Sequence, residues 1–189
     1  MKKRILLCFF AILGLSIACK EEGKADYLPE SVGAMNTLTV VIDNELWKSS
    51  VGDAIRENYT AAAQGLTWDE ALFSVTQVPQ QIFSGSIRNT SSVLYVMEDS
   101  LNVAHMKSNM YSKPQNIGVI KGRNKQELID NINKTSAEFI KDFKTLEISK
   151  AQKRFEKSLN KEKALVDKFN ISMKIPSIYR VGREEDNYQ

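Results

Sequence analysis

The chain has 189 residues, enough for one domain or at most two small ones. Its formal net charge of +3 comes entirely from Lys2, Lys3 and Arg4, because the rest of the chain carries 23 basic and 23 acidic side chains, a balance that argues against nucleic-acid binding. Both cysteines, Cys8 and Cys19, lie near the N-terminus, so the remaining sequence excludes disulfides, Cys-ligated metals and cysteine nucleophiles.

The first nineteen residues have the pattern of a bacterial lipoprotein leader. The basic residues are followed by an uncharged, mostly apolar run at positions 5–17 and then by Ala18-Cys19. That run would cover only about 20 Å of a roughly 30 Å hydrocarbon core, so a membrane-spanning helix is disfavoured. We expect residues 1–18 to be removed as a signal peptide and Cys19 to be acylated, as with palmitate. Ordinary signal-peptidase cleavage stays open, because Ser16 replaces the Leu usual in lipoproteins.

The residues after the leader indicate a tether. Cys19-Lys20-Glu21-Glu22 resembles the export tag of Bacteroidetes surface lipoproteins, which implies the outer face of the outer membrane. The same charges also suit a solvated acidic linker, so a surface location stays open. Residues 19–33 are interpreted as the tether and residues 34–189 as a single domain.

The first part of this domain predicts a sheet with one short helix. Residues 35–43, rich in Thr, Val and Ile, predict a strand, and apolar spacing over 45–59 predicts a helix. Weak alternation over 101–111 predicts a half-exposed antiparallel strand. Further strands are predicted within 68–78, 92–98 and 117–120.

The second part predicts one long helix. Residues 124–169 carry apolar side chains at close to 3.6-residue spacing. A continuous helix would be about 70 Å long, so we expect a break near 158–163. Residues 172–181 return to strand character, and we expect the domain to be incomplete at its C-terminus. The predicted fold class is α+β, with a mixed or antiparallel sheet packed against a short helix and the long C-terminal helix.

Three segments of the chain carry a family resemblance: 27–33 (YLPESVG), 36–47 (NTLTVVIDNELW) and 52–56 (GDAIR). Together with shorter matches up to residue 179, they resemble a Bacteroidetes envelope lipoprotein family defined only as a domain of unknown function. The resemblance implies a location in the cell envelope, and it supplies no catalytic residues. Family members continue past the point where this chain stops, which implies truncation.

A basic stripe lies on the predicted long helix. Like charges four residues apart repel, so the stripe would not stabilise an isolated helix. A solvated face is the preferred interpretation, and the alternative is contact with an anionic partner, such as an envelope protein or an anionic lipid or glycan. The stripe consists of Lys150, Lys153, Arg154, Lys157 and Lys161.

Neither a catalytic site nor a cofactor site is predicted. The sequence contains no P-loop, Gly-x-Ser-x-Gly or His-Glu-x-x-His motif. His105 is the only histidine, so no metal site and no cofactor are expected. Lys121, Arg123 and Lys125 lie near two glycines and are interpreted as a basic turn rather than an anion site.

Two functions therefore stay open. The first is a lipid-anchored envelope protein that binds or assembles without catalysis, through the long helix and exposed strand edges. The second is an envelope hydrolase that cleaves glycans with carboxylates alone, which requires two carboxylates about 5–10 Å apart in a cleft. A carboxylate-lined cleft would favour the hydrolase, and an exposed apolar patch without a pocket would favour the binding protein.

Overall fold

The computed structural model describes residues 27–161, 163–180 and 182. The predicted leader, Cys19, residues 20–26 of the tether and residues 183–189 lie outside these residues. No helix within them is long and apolar enough to cross a membrane. The elements in chain order are β1 (Thr37–Val41), α1 (Asn44–Trp47), α2 (Ser50–Tyr59), β2 (Ser74–Val78), two 3₁₀ turns (Gln80–Ile82 and Ile87–Asn89), β3 (Ser92–Glu98), β4 (Val103–Ser108), β5 (Asn116–Gly122), α3 (Lys125–Glu156) and α4 (Ala164–Phe169).

The five strands form one mixed sheet in the order β2-β1-β3-β5-β4. β1 is parallel to both β2 and β3, β3 is parallel to β5, and β4 pairs antiparallel with β5 at the edge. The predicted α+β class with a mixed sheet is therefore confirmed. The half-exposed antiparallel strand predicted within 101–111 is also present, as β4, and it lies at the edge of the sheet.

Helices α2 and α3 cover one face of this sheet. α3 runs back along β5, because Asn131 near its start donates from Nδ2 to the Lys121 carbonyl at 3.0 Å, and Asn116 donates from Nδ2 to the Asp142 carbonyl at 3.1 Å. Gly118 lets the two elements approach closely at the Phe139 ring. The buried core of this face includes Leu38, Val40, Ile42, Ile55, Tyr59, Phe73, Leu94, Val96, Ile120, Leu128, Ile132, Phe139 and Phe143.

The opposite face of the sheet is covered by loops. Val41, Val93, Ile117 and Val119 form a smaller cluster there, and Phe83 from the β2–β3 connection packs against it. Tyr95 and Tyr111 complete this layer, and each makes an edge-to-face contact with the Phe83 ring at about 6 Å.

The helical predictions are confirmed with two refinements. The predicted helix 45–59 is split into α1 and α2, and Ser49 caps α2 by accepting a hydrogen bond from the Val51 N–H. The long helix ends at Glu156, and α4 follows after the expected break. Lys161 of the basic stripe therefore lies beyond the helix.

The strand predicted at 172–181 is wrong for its described residues, 172–180, which contain no strand. Alternating apolar residues form a strand only when a neighbouring strand accepts their hydrogen bonds. Here residues 172–180 meet the loop after α3, through an isolated bridge between Leu159 and Pro176. Pro176 also has no N–H to donate to a ladder.

The last part of the predicted tether is attached to the domain. Lys113 donates its backbone N–H to the Pro29 carbonyl at 2.8 Å, and Val32 donates to the Asn89 carbonyl at 3.0 Å. Ser31 is only 7 % exposed. Residues 29–33 therefore follow the surface of the domain into β1.

Candidate ligand cleft and basic helix end

A cleft of about 610 Å³ opens at the carboxyl ends of the parallel strands. From β1 the chain passes through α1 and α2 to β2 on one side, whereas β3 lies on the other side of β1. Such a point, where connections diverge from neighbouring strands, leaves a crevice at the sheet edge and is the usual ligand site of open α/β sheets. We name this feature the carboxyl-edge cleft.

The carboxyl-edge cleft is lined mainly by polar side chains. Three carboxylates and one ammonium group give the lining a formal charge of −2, and three side-chain amides add both donors and acceptors. Glu45 and Glu98 are exposed, and Asp43 is half-buried. The lining residues are Asp43, Asn44, Glu45, Leu46, Gln80, Gln81, Met97, Glu98 and Lys125.

Amide hydrogen bonds hold the walls of the cleft together. Gln77 of β2 donates from Nε2 to the Asn44 Oδ1 at 3.1 Å and to the Ile42 carbonyl at 3.0 Å, which fixes the turn after β1. The Tyr95 hydroxyl lies 3.4 Å from the Gln80 Oε1. Burial, followed by the nearby Tyr111 and Asp43, raises the pKa of Tyr95, so its hydroxyl remains a hydrogen-bond donor at neutral pH.

Two of the three positive charges in the basic turn beside the cleft are neutralised by nearby carboxylates. Lys121 donates from Nζ to the Asp99 carboxylate at 2.6 Å, and Arg123 is paired with Glu127 at 2.7 Å. Only Lys125 of the three basic residues lines the cleft. The interpretation as a basic turn therefore fits the geometry better than an anion site.

Two members of the basic stripe hold the N-terminal segment. Lys150 donates from Nζ to the Ser31 Oγ at 3.0 Å, and the Arg154 Nη2 lies 3.8 Å from the Met35 Sδ. Burial lowers the pKa of Lys150, and the opposing charge of Glu30 limits that effect. A small cavity of about 90 Å³ lies between these side chains and Ser91.

The other members of the stripe lie on the surface. Lys153 and Lys157 are exposed at the end of α3, and Lys161 is exposed in the loop beyond it. Four cations of the predicted stripe therefore lie in the last turns of α3 or at its C-cap, whereas Lys161 lies in the loop beyond the helix. Lys153 and Arg154 also lie in the last helical turn, where a positive charge interacts favourably with the free backbone carbonyl groups and stabilises the helix.

Glu147 anchors the same helix end from the buried side. It is 6 % exposed, and its Oε1 accepts the Asn36 N–H at 2.9 Å. Lys144 lies 3.6 Å from the second carboxylate oxygen and donates to the Asn36 Oδ1 at 2.6 Å and the Leu72 carbonyl at 2.7 Å. This network ties α3 to the starts of both β1 and β2.

Other candidate chemistry is not assembled. His105 is exposed on the edge strand β4, opposite Val119. Across the described ranges, no three His, Cys, Asp or Glu side chains lie together in an arrangement that could hold a metal ion. Cys19 lies outside those ranges, so its acylation stays a prediction.

The sequence analysis did not find the carboxyl-edge cleft. Its walls come from four separate stretches of the chain, which no local spacing connects. The available signal was positional: Asp43, Gln80 and Glu98 each stand at or just after the carboxyl end of a strand. These strand ends can be recognised as neighbours only when it is known that β2, β1 and β3 are adjacent and parallel in the sheet.

Comparison with known families matches residues 31–156 to a model described as a domain of unknown function, DUF8532. The predicted resemblance is thereby confirmed as far as an uncharacterised domain. No curated protein and no solved structure matches the chain. A Bacteroidetes origin and lipoprotein nature stay predictions from the sequence.

Proposed function

The chain belongs to the DUF8532 family, and we propose that it is a lipid-anchored envelope protein that binds a small polar ligand in the carboxyl-edge cleft. The single observation that carries the binding role is the position of this cleft, at the divergence of the connections from β1 and β3. The lipoprotein leader supports an outer-membrane location, with acylated Cys19 as the anchor.

The lining of the cleft favours a ligand that donates hydrogen bonds. Carboxylates accept hydrogen bonds from hydroxyl and ammonium groups, and the formal charge of −2 repels anions. The amides of Gln80 and Gln81 can both donate and accept, and Met97 offers a small apolar contact. An amino sugar carries both hydroxyl and amino groups, and we propose amino sugars as the ligand class.

Glycan hydrolysis is the second candidate, because Asp43, Glu45 and Glu98 line a single cleft. A glycosidase acid must keep its proton near neutral pH, which usually requires a carboxyl group removed from water. Glu45 and Glu98 are exposed to solvent, which favours binding over catalysis. Release of reducing ends from an amino-sugar oligosaccharide would support the hydrolase instead.

Ligand binding can be tested by thermal unfolding of the chain from residue 19 onward with glucosamine. At a hundredfold excess over Kd, a ligand adds about 2.7 kcal/mol, which should raise the Tm of a domain of this size by roughly 5–10 °C. Inorganic phosphate should give no shift. The double variant Glu45→Gln/Glu98→Gln should lose most of the glucosamine shift.

The matched control is Glu57→Gln/Glu138→Gln, which removes two exposed carboxylates outside the cleft lining. This control should keep the full shift. Equal losses in the two double variants would contradict binding in the carboxyl-edge cleft. A full shift in the cleft variant would contradict it as well.

The anchor is tested separately in a bacterial host that processes lipoproteins. Wild-type protein should take up labelled palmitate and fractionate with membranes, whereas Cys19→Ala should do neither. A membrane-bound Cys19→Ala protein, together with an unlabelled wild type, would overturn the lipoprotein assignment.

A further inference from the structure

We propose that the C-terminal end of α3 is a docking surface for an anionic lipid membrane, which orients the anchored domain. The surface consists of Lys150, Lys153, Arg154 and Lys157, and we name it the basic helix end. This inference rests on the proposed lipid anchoring, and it adds the side of the domain that faces the membrane.

The first step is that α3 extends past the sheet. Asn131, near the start of α3, bonds to the Lys121 carbonyl near the end of β5. Further along α3, the Asp142 carbonyl accepts a hydrogen bond from the side chain of Asn116, the first residue of β5. At the start of β1, Glu147 still contacts Asn36, and the helix then continues to Glu156, so about nine residues, or roughly 14 Å, lie beyond that contact.

The second step is that the helix face changes character near this contact. Phe139 and Phe143 pack on the sheet, and the same face continues through Glu147 to Lys150 and Arg154 at three- and four-residue spacing. The face that is apolar against the sheet is therefore basic where the sheet ends.

The third step concerns the carboxylates near these cations, of which Glu30 faces Lys150 and offsets one positive charge. Glu147 is buried and bonded to the Asn36 N–H, and Glu156 forms an ion pair with Lys174. The preference of a helix C-terminus for positive charge accounts for Lys153 and Arg154 in the last turn but not for a cluster of four cations. The basic helix end keeps a net positive charge for an external partner.

The fourth step is the position of the tether. Lys150 contacts Ser31, which is only twelve residues after Cys19, so an acylated Cys19 lies at most about 40 Å along the chain from this contact. Within the described residues, the first backbone hydrogen bond between this segment and the rest of the domain is made by Pro29. The basic helix end is therefore close to the segment through which the proposed anchor joins the domain, and negatively charged headgroups are the partner that this location and charge select.

The experiment is vesicle sedimentation with the chain from residue 19 onward carrying Cys19→Ala, which removes acylation from the measurement. Vesicles of phosphatidylcholine containing about one third phosphatidylglycerol should bind the protein, and binding should weaken as salt is added. Vesicles of phosphatidylcholine alone should not. The double variant Lys153→Gln/Lys157→Gln should bind about 25-fold more weakly, at roughly fivefold for each basic residue removed.

The matched control is Lys134→Gln/Lys141→Gln, which removes two exposed lysines from the part of α3 that lies over the sheet. It should bind like the parent chain. Equal binding to neutral and anionic vesicles, or equal losses in the two double variants, would overturn the proposed docking surface. Because the assay uses protein without a fatty acid, failure of the anchor shows only in the palmitate experiment, and failure of docking shows only here.

Discussion

Gly118 lies where α3 comes closest to the sheet, and replacing it with alanine should destabilise the domain. An added Cβ would lie 2.7 and 2.9 Å from two carbons of the Phe139 ring and 3.2 Å from the Leu94 Cδ1. Ordinary contacts begin at 3.4 Å, so the ring must retreat by about 0.7 Å within a close-packed core.

Two opposing effects set the size of this change. Overpacking of a core typically costs about 1–3 kcal/mol. Alanine also restricts the unfolded chain, which returns about 0.4–1 kcal/mol where the native backbone suits it. We therefore expect Gly118→Ala to lower the free energy of unfolding by about 1–2 kcal/mol.

Urea unfolding followed by far-ultraviolet circular dichroism would measure the effect. With a typical m value, the midpoint should fall by roughly 0.5–1 M urea while the slope stays unchanged. Gly182→Ala is the matched control, because an added Cβ there would meet no atom of the described residues within 4 Å. That variant should unfold like the wild type.

A second-site variant identifies the source of the strain. Phe139→Leu removes the ring and should cost about 1–2 kcal/mol alone, less than a full Phe→Ala truncation. In that background, the cost of Gly118→Ala should fall close to zero, giving a coupling energy of at least about 1 kcal/mol. If Gly118→Ala costs the same in both backgrounds, contact with Phe139 is not the reason for a glycine at this position.

Variants at three further positions test other buried or paired groups by the same unfolding assay. Glu147→Ala should cost about 2–3 kcal/mol, because it leaves the Asn36 N–H without its acceptor, whereas Glu147→Gln keeps an acceptor and should cost less; equal costs would refute this account. Tyr59→Phe should be neutral or stabilising by up to about 1 kcal/mol, since the buried hydroxyl has no hydrogen-bond partner among the described residues, and a clear loss would disagree. The hydrogen bond from Lys121 holds the pKa of Asp99 below its usual range, so the ionised carboxylate stabilises the folded state at neutral pH. Asp99→Asn should therefore be less stable than the wild type at neutral pH, and the difference should vanish as pH falls through the pKa of the folded state. A difference that persists in acid would contradict the pairing.

Local chemistry made much of the fold predictable. Residues 37–41 and 92–98 are rich in Val, Leu and Thr and bury both faces, as central parallel strands do. α3 was predictable because its buried residues recur at helical spacing, and its end was predictable because the apolar pattern fails near 158–163. These features depend on neighbouring residues alone.

The strand order and the carboxyl-edge cleft could not be predicted in the same way. They depend on β1 pairing with both β2 and β3, across separations that no local pattern encodes. The contacts of Lys150 with Ser31 and of Glu147 with Asn36 join residues more than a hundred positions apart. The strand predicted at 172–181 was wrong for a related reason, because strand propensity alone does not supply a pairing partner.

The attachment of residues 29–36 has a mechanical consequence. Tension applied to the chain before Pro29 would first load the hydrogen bonds to Lys113 and Asn89, and then the contacts of Ser31 and Asn36 with α3. The central strand β1 follows these contacts along the chain, so a pulling force would detach the short surface segment before it acted on the sheet. With the proposed lipid anchor at Cys19, this segment would separate before the sheet and so protect the folded core from the pull.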